Sequence, residues 1–187
     1  MNDPDSPANS PPEAFRSYLL LLARLQLGAG TANRIDPSDI VQQTLLEAHA
    51  KAAQFSGSDA ALLAWLRQAL ANNLSDARRA LRRAKRDIRK EQPLDDGVER
   101  SSTRLAGLLA AAGSSPSMKA ARNEDLVRLA DALTKLPTAQ REAVILHHLQ
   151  DHPLAETARR LGRTDAAVAG LLHRGLKALR ELIPPGA

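Results

Sequence analysis

From Leu63 to Ile88 the apolar residues Leu63, Leu66, Leu70, Leu74, Ala77, Leu81, Ala84 and Ile88 return every three or four positions. That period lies along one face of an α-helix, whereas a strand repeats every two residues. The run predicts one helix of about eight turns, at 3.6 residues per turn, with Ser58 available to cap its start after the Ser56-Gly57-Ser58 break. Composition agrees with it. Ala and Leu supply 34 and 31 of the 187 residues, and Val and Ile ten between them. The abundant pair loses little side-chain entropy in a helix, while the depleted types are those that fill strands. The expected fold is all-α.

Several function classes drop out at once. The chain has no cysteine, which excludes a disulfide scaffold, thiol catalysis and Cys-ligated zinc. Four aromatic residues are too few for a row of rings on which single-stranded bases stack. The longest apolar run, Tyr18 to Ala23, is too short to cross a bilayer and lacks a signal peptide's basic flank. A soluble, cytoplasmic protein without membrane contact, metal or cofactor is expected.

The net charge of +5 is unevenly placed. Residues 1–63 carry four basic and seven acidic side chains, and residues 64–90 carry nine and two. Residues 91–158 hold seven and ten, and Arg159 to Ala187 six and two. The excess therefore sits in two islands of +7 and +4, each bordered by acidic sequence. Arg78 to Lys90 alone has eight basic residues against Asp87. Two such islands attract a polyanion, and nucleic acid is the commonest in a cell.

Along the chain, residues 1–12 hold four prolines among polar residues and are expected to be disordered. A first helix is predicted from Glu13 to about Leu27, stopped at Gly28-Ala29-Gly30. A second begins at Asp36-Pro37, with Asp36 as N-cap and Pro37 in the first turn, and runs to about Ala53. Its apolar stripe is Val41, Leu45, Ala48 and Ala52; Asp39, Gln42, Gln43 and Glu47 form the opposite polar face. After the long helix, residues 92–123 carry Pro93, Gly97, Gly107, Gly113, Pro116 and two serine pairs. They read as a linker, with at most a transient helical turn over Leu105 to Ala112, between two small helical domains at 13–91 and 124–184.

The second domain has the more specific pattern. Leu126, Leu129, Ala130 and Leu133 predict a helix ending before Pro137, and Thr138 is placed to cap the next, Ala139 to about Leu149. Pro153 opens a short helix, Leu154 to Leu161, closed by Gly162, where a left-handed residue is wanted. Thr164 then caps a helix to Leu182, with Asp165 favourably set against its amino-terminal dipole. Two helices joined by a short Gly-containing turn form a helix-turn-helix. Ala158 is small where they cross, and Val168, Leu172, Leu176 and Leu179 face the core. Ala169, Gly170, His173, Arg174 and Lys177 are left facing outward, where a recognition helix meets the major groove. Arg163 and Thr164 stand at its entry.

The residues then match a known pattern. Asp36 to Glu47 (DPSDIVQQTLLE) and the stretch from Trp65 (WLRQALANNLSDARR) resemble the second conserved region of extracytoplasmic-function sigma factors. The stretch from Leu133 (LTKLPTAQREAVILHHLQDHPLAETARRLGRTDAAVAGLLHRGLKALREL) is similar to their fourth region. The resemblance implies a promoter-specificity subunit of bacterial RNA polymerase. It implies that Asp39, Gln42, Gln43 and Glu47 dock on core polymerase, with Gln43 where an acid is usual. Asn72, Asp76 and Arg79 fall on positions that recognise and open the −10 element. Arg78, Arg82, Arg83, Lys85 and Arg86 would hold duplex backbone beside them. The helix-turn-helix would read the −35 element of promoter DNA, and an anti-sigma factor is a further partner that the resemblance allows. Two departures stand out: Thr157 replaces a branched aliphatic, and Ala169-Gly170-Leu171 replaces a run rich in Lys, Ser and Arg. Leu171 is open to two roles, a thymine methyl contact or part of the core.

Two other readings fit parts of the chain. A stand-alone helix-turn-helix regulator would bind DNA without polymerase. His147, His148, Asp151 and His152 invite a metal or acid–base reading, but no HExxH motif, Ser/His/Asp arrangement or phosphate-binding Gly loop is present, so no enzyme is expected.

Overall fold

A computed structural model describes residues 10–32, 34–51, 59–85, 95–111 and 119–183. Every regular element among the described residues is helical, and the chain forms two compact units, Met1–Arg100 and Ser101–Ala187.

In the first unit α1 (Arg16–Ala32), α2 (Pro37–Ala50) and α3 (Asp59–Lys85) pack on one another. Tyr18, Leu19 and Leu22 from α1, Val41 and Leu45 from α2, and Leu63, Leu66, Leu70 and Leu74 from α3 are all buried and form the core. The stripe that announced α3 is fully covered as far as Leu74; Ala77 and Leu81 are partly exposed. The apolar core thus thins where the basic island begins. Asp36 caps α2 as the sequence requires, accepting from the Ser38 N–H at 2.8 Å. Ser58, Ala52 and Ile88 lie outside the described residues.

Three expectations change here. Ser10 to Pro12, assigned to a disordered tail, are held: Ser10 donates from its N–H (2.7 Å) and its Oγ (2.6 Å) to the Asp59 carboxylate, and Pro12 is buried in a 3₁₀ turn, Pro12–Phe15. The α1 helix runs through Gly28 and Gly30 to Ala32. A helical glycine costs about 1 kcal/mol relative to alanine but does not forbid the helix. The expected linker contains α4 (Asp95–Ala111), a full helix rather than a transient turn. Its Gly and Ser residues disguised a stripe of Val98, Ser101, Ser102, Leu105, Leu108 and Leu109, all buried. Residues 97–99 belong to the first unit, where Gln26 Nε2 donates to the Gly97 carbonyl (2.9 Å) and Arg67 pairs with Glu99 (3.1 Å).

The second unit contains the rest of α4 together with α5 (Lys119–Lys135), α6 (Thr138–Val144), α7 (Leu154–Leu161) and α8 (Asp165–Leu182), and α8 packs on α5, α6 and α7. Thr138 is not a capping residue. Pro137 takes the N-cap position and no side chain caps α6. The helix expected to reach Leu149 widens into a π turn over Ile145–Leu149, with the Gln150 N–H reaching the Ile145 carbonyl at 2.9 Å. Asp151 follows at φ 61°. Arg104 of α4 braces this turn through the Leu149 carbonyl (3.1 Å) and Asp151 (3.4 Å).

Candidate nucleic-acid interface

The α7–α8 pair is fixed by local chemistry. Gly162 adopts φ 61°, ψ 38°, the left-handed region that disfavours a Cβ. Its N–H reaches the Arg159 carbonyl (3.2 Å) and the Arg163 N–H reaches that of Ala158 (2.9 Å), which are the two bonds of a Schellman ending. The chain re-enters helix at once, with Thr164 extended and its Oγ1 accepting from the Ala167 N–H at 3.2 Å. Thr157 is fully buried beside Ala158, and its hydroxyl donates to the Pro153 carbonyl at 3.1 Å. The threonine in place of an aliphatic therefore leaves no orphaned polar atom.

Val168, Leu171, Leu172, Gly175 and Leu179 form the inner face of α8. Leu171 is 8% exposed, which settles its two roles in favour of the core. Gly175 lets α8 approach α6 closely, since a Cβ there would stand 3.0 Å from Val144 Cγ2. On the other side Arg163, Thr164, Ala169, His173, Arg174 and Lys177 are exposed, and Gly170 partly so. Not all of the carboxyl-terminal positive charge is available: Glu156 pairs with both Arg159 and Arg160, the latter at 2.7 Å. Among the described residues, no ion pair engages Arg163, Arg174 or Lys177.

On α3 the residues Asn72, Asp76, Arg79 and Arg83 are exposed at steps of four, three and four, so they form one stripe. Gln68 Nε2 approaches Asn72 Oδ1 at 3.4 Å, and Arg79 pairs with Asp76 at 3.4 Å. Arg82 is half-buried. Arg78 turns inward and donates to the Gln26 carbonyl of α1. Burial, and secondarily the charge of Arg82, hold its pKa below the ordinary arginine value. It braces α1 against α3, whatever else it touches. The Lys85 side chain and Arg86 lie outside the described residues.

On α2, Asp39, Gln42 and Gln43 are exposed and Glu47 partly so. Gln42 accepts from Arg16, and Gln43 Nε2 donates to Glu47 at 2.9 Å. Leu46, absent from the expected docking residues, is 55% exposed in the middle of this polar face while Leu45 is buried. Leu46 follows Gln42 and Gln43 by four and three residues, so helical spacing alone sets it on the polar face.

The histidine cluster serves the fold. His147 Nδ1 bonds the His152 carbonyl at 2.8 Å, and the His147 and His148 rings meet edge to face at 4.8 Å. No group of three His, Asp or Glu among the described residues is placed to hold a metal. No helix among them is long and apolar enough to cross a membrane.

Comparison with known proteins bears on the whole chain. The sequence model for sigma-70 region 4 matches residues 126–179, from α5 through most of α8. The ECF RNA polymerase sigma factor SigF of Caulobacter vibrioides is 32% identical over 173 residues, covering 90% of this chain and 84% of its own. SigM of Mycobacterium tuberculosis is 30% identical over 172 residues, covering 91% and 76%. The chain belongs to the ECF sigma factor family. A third ECF sigma factor, SigD of Mycobacterium bovis, is 27% identical over 171 residues (91% and 74%). No solved structure matches the chain.

Proposed function

We propose that this ECF sigma factor, which directs promoter recognition by RNA polymerase, divides the work among three surfaces. Asp39, Gln42, Gln43 and Glu47 surround Leu46 and dock on core polymerase. Leu46 is the apolar anchor within a polar rim, the usual anatomy of a binding hot spot. Asn72, Asp76, Arg79, Arg82 and Arg83, continued by Lys85 and Arg86, recognise and open the −10 element. Arg163, Thr164, Ala169, Gly170, His173, Arg174 and Lys177 meet the −35 element. Arg78 contributes mainly by holding α1 on α3. ECF sigma factors are not enzymes, and this chain acts by positioning polymerase.

The observation that carries the reading is the outer face of α8. It is helical from a capped start, packs on α7, and presents Arg174 and Lys177, which no ion pair engages among the described residues. A recognition helix requires those properties. The α3 stripe adds a second cationic contact on the same chain. Two modest DNA contacts on one chain raise each other's effective concentration once their spacing is fixed. Polymerase fixes that spacing, so the free protein binds promoter DNA poorly. A cytoplasmic location accords with this working cycle, since polymerase and promoter DNA lie there. The test is permanganate reactivity of promoter thymines with core polymerase. Arg79→Ala combined with Arg83→Ala should remove reactivity at −10 while leaving polymerase bound to the protein. Normal opening by the double variant would move the −10 contact elsewhere.

A further inference from the structure

Gly170 lies on the outward side of α8, one turn before Arg174. Helix side chains lean toward the amino terminus of their own helix, and Arg174 does so over Gly170. A Cβ at 170 would stand 3.3 Å and 3.7 Å from the two terminal guanidinium nitrogens and 3.8 Å from their carbon. The guanidinium fills the space that a side chain at 170 would take. Asp165, exposed at the start of α8, is an acceptor only and cannot donate to guanine O6 or N7. Ala166, Ala167 and Ala169 are exposed and carry only methyl groups, and the Thr164 hydroxyl is occupied as the cap. Yet the amino-terminal part of a recognition helix is the part that reaches base edges.

We propose that Gly170 is a specificity-determining position: by lacking a side chain, it seats the Arg174 guanidinium along the amino-terminal half of α8, where its planar fork reads a guanine through O6 and N7. His173 and Lys177 serve the phosphates beside it. This deepens, and rests on, the reading of α7–α8 as the −35 contact. The contact at 3.3 Å involves the far end of a flexible side chain, so a residue at 170 displaces the guanidinium rather than the backbone. Alanine shifts it slightly, and leucine evicts it. Both are better helix formers than glycine, so neither threatens α8.

The experiment is transcription by core polymerase from a promoter library randomised across the −35 element, read by sequencing the transcribed templates. The wild-type protein should enrich a G·C pair at one −35 position. Arg174→Ala should reduce that preference about tenfold, the range of one bidentate base contact. Gly170→Leu should reduce the same preference, Gly170→Ala should do so more weakly, and Gly170→Leu should add nothing in the Arg174→Ala background. Thermal melting of each variant should show no loss of stability. Retention of the guanine preference by Gly170→Leu overturns the proposal, as does an Arg174→Ala variant that lowers every promoter alike. Absence of any promoter-specific transcript with the wild-type protein would instead refute the −35 reading on which the proposal stands.

Discussion

Replacing Gly162 by alanine adds a methyl group that meets nothing within 4 Å, so its whole effect is conformational. At φ 61°, ψ 38° an L-residue with a Cβ pays roughly 1–2 kcal/mol. A stiffer unfolded chain returns part of this, about 0.4–1 kcal/mol, leaving a net loss of about 1 kcal/mol. Gly107, in the part of α4 that belongs to the same unit, offers a matched contrast. Its Cβ would also meet open space, but its backbone is ordinary helix, so alanine there should gain about 1 kcal/mol. For a domain of 60–100 residues each kcal/mol moves Tm by about 4–8 °C. The two variants should therefore melt on opposite sides of wild type by far-UV circular dichroism. The placement of aromatics supplies an internal control. Phe15, Tyr18, Phe55 and Trp65 all precede residue 66, so tryptophan fluorescence follows the first unit alone and should not move. A Gly162→Ala variant as stable as wild type, or one shifted in the same direction as Gly107→Ala, would refute the left-handed turn between α7 and α8.

The same assay reaches other contacts. Thr164→Ala should cost about 1 kcal/mol through loss of the cap on Ala167, and Thr164→Ser should recover most of it. The pKa of His148 is held below its ordinary value by burial and then by His147. Its folded pKa thus lies below the unfolded value of 6.5, so the second unit should be most stable above pH 6.5 and lose stability as pH falls below it. His148→Gln should flatten that dependence, and an unchanged pH profile would refute it. Leu46→Ala should weaken binding to core polymerase by roughly five- to tenfold, more than 1 kcal/mol as for an anchor residue, with no loss of Tm. A fully retained affinity would remove Leu46 from the docking face.

What the sequence revealed was the chemistry of chain ends and periods. Asp36-Pro37, Gly162 and Thr164 act on their immediate neighbours, and each stands in the structure as local rules require. The Leu63–Leu74 stripe was equally legible, because burial of a 3.6-residue period is a property of one helix. The misreadings arose where packing outweighed composition. The Gly and Ser residues of 92–111 suggested a tether, but Val98, Leu105, Leu108 and Leu109 fall on one helical face and are buried. The α1 helix crosses two glycines with Leu27 buried just before them. The π turn and Asp151 are braced by Arg104, 47 residues away from that aspartate, a contact that no local pattern shows. The candidate surfaces followed the same division. The outward face of α8 could be counted off by periodicity. The exposure of Leu46 could have been counted off in the same way, but the inward turn of Arg78 and the seat at Gly170 depend on which neighbour lies beside each residue, and needed coordinates.

The central claim is that this chain gains promoter specificity only with polymerase. It is tested most directly by footprinting and transcription of genomic fragments with core polymerase alone, with the protein alone, and with both together. Specific protection at −35 and −10 and a defined transcript start should appear only when both are present. A clear footprint over a palindrome by the free protein, with polymerase adding no specific start, would contradict it.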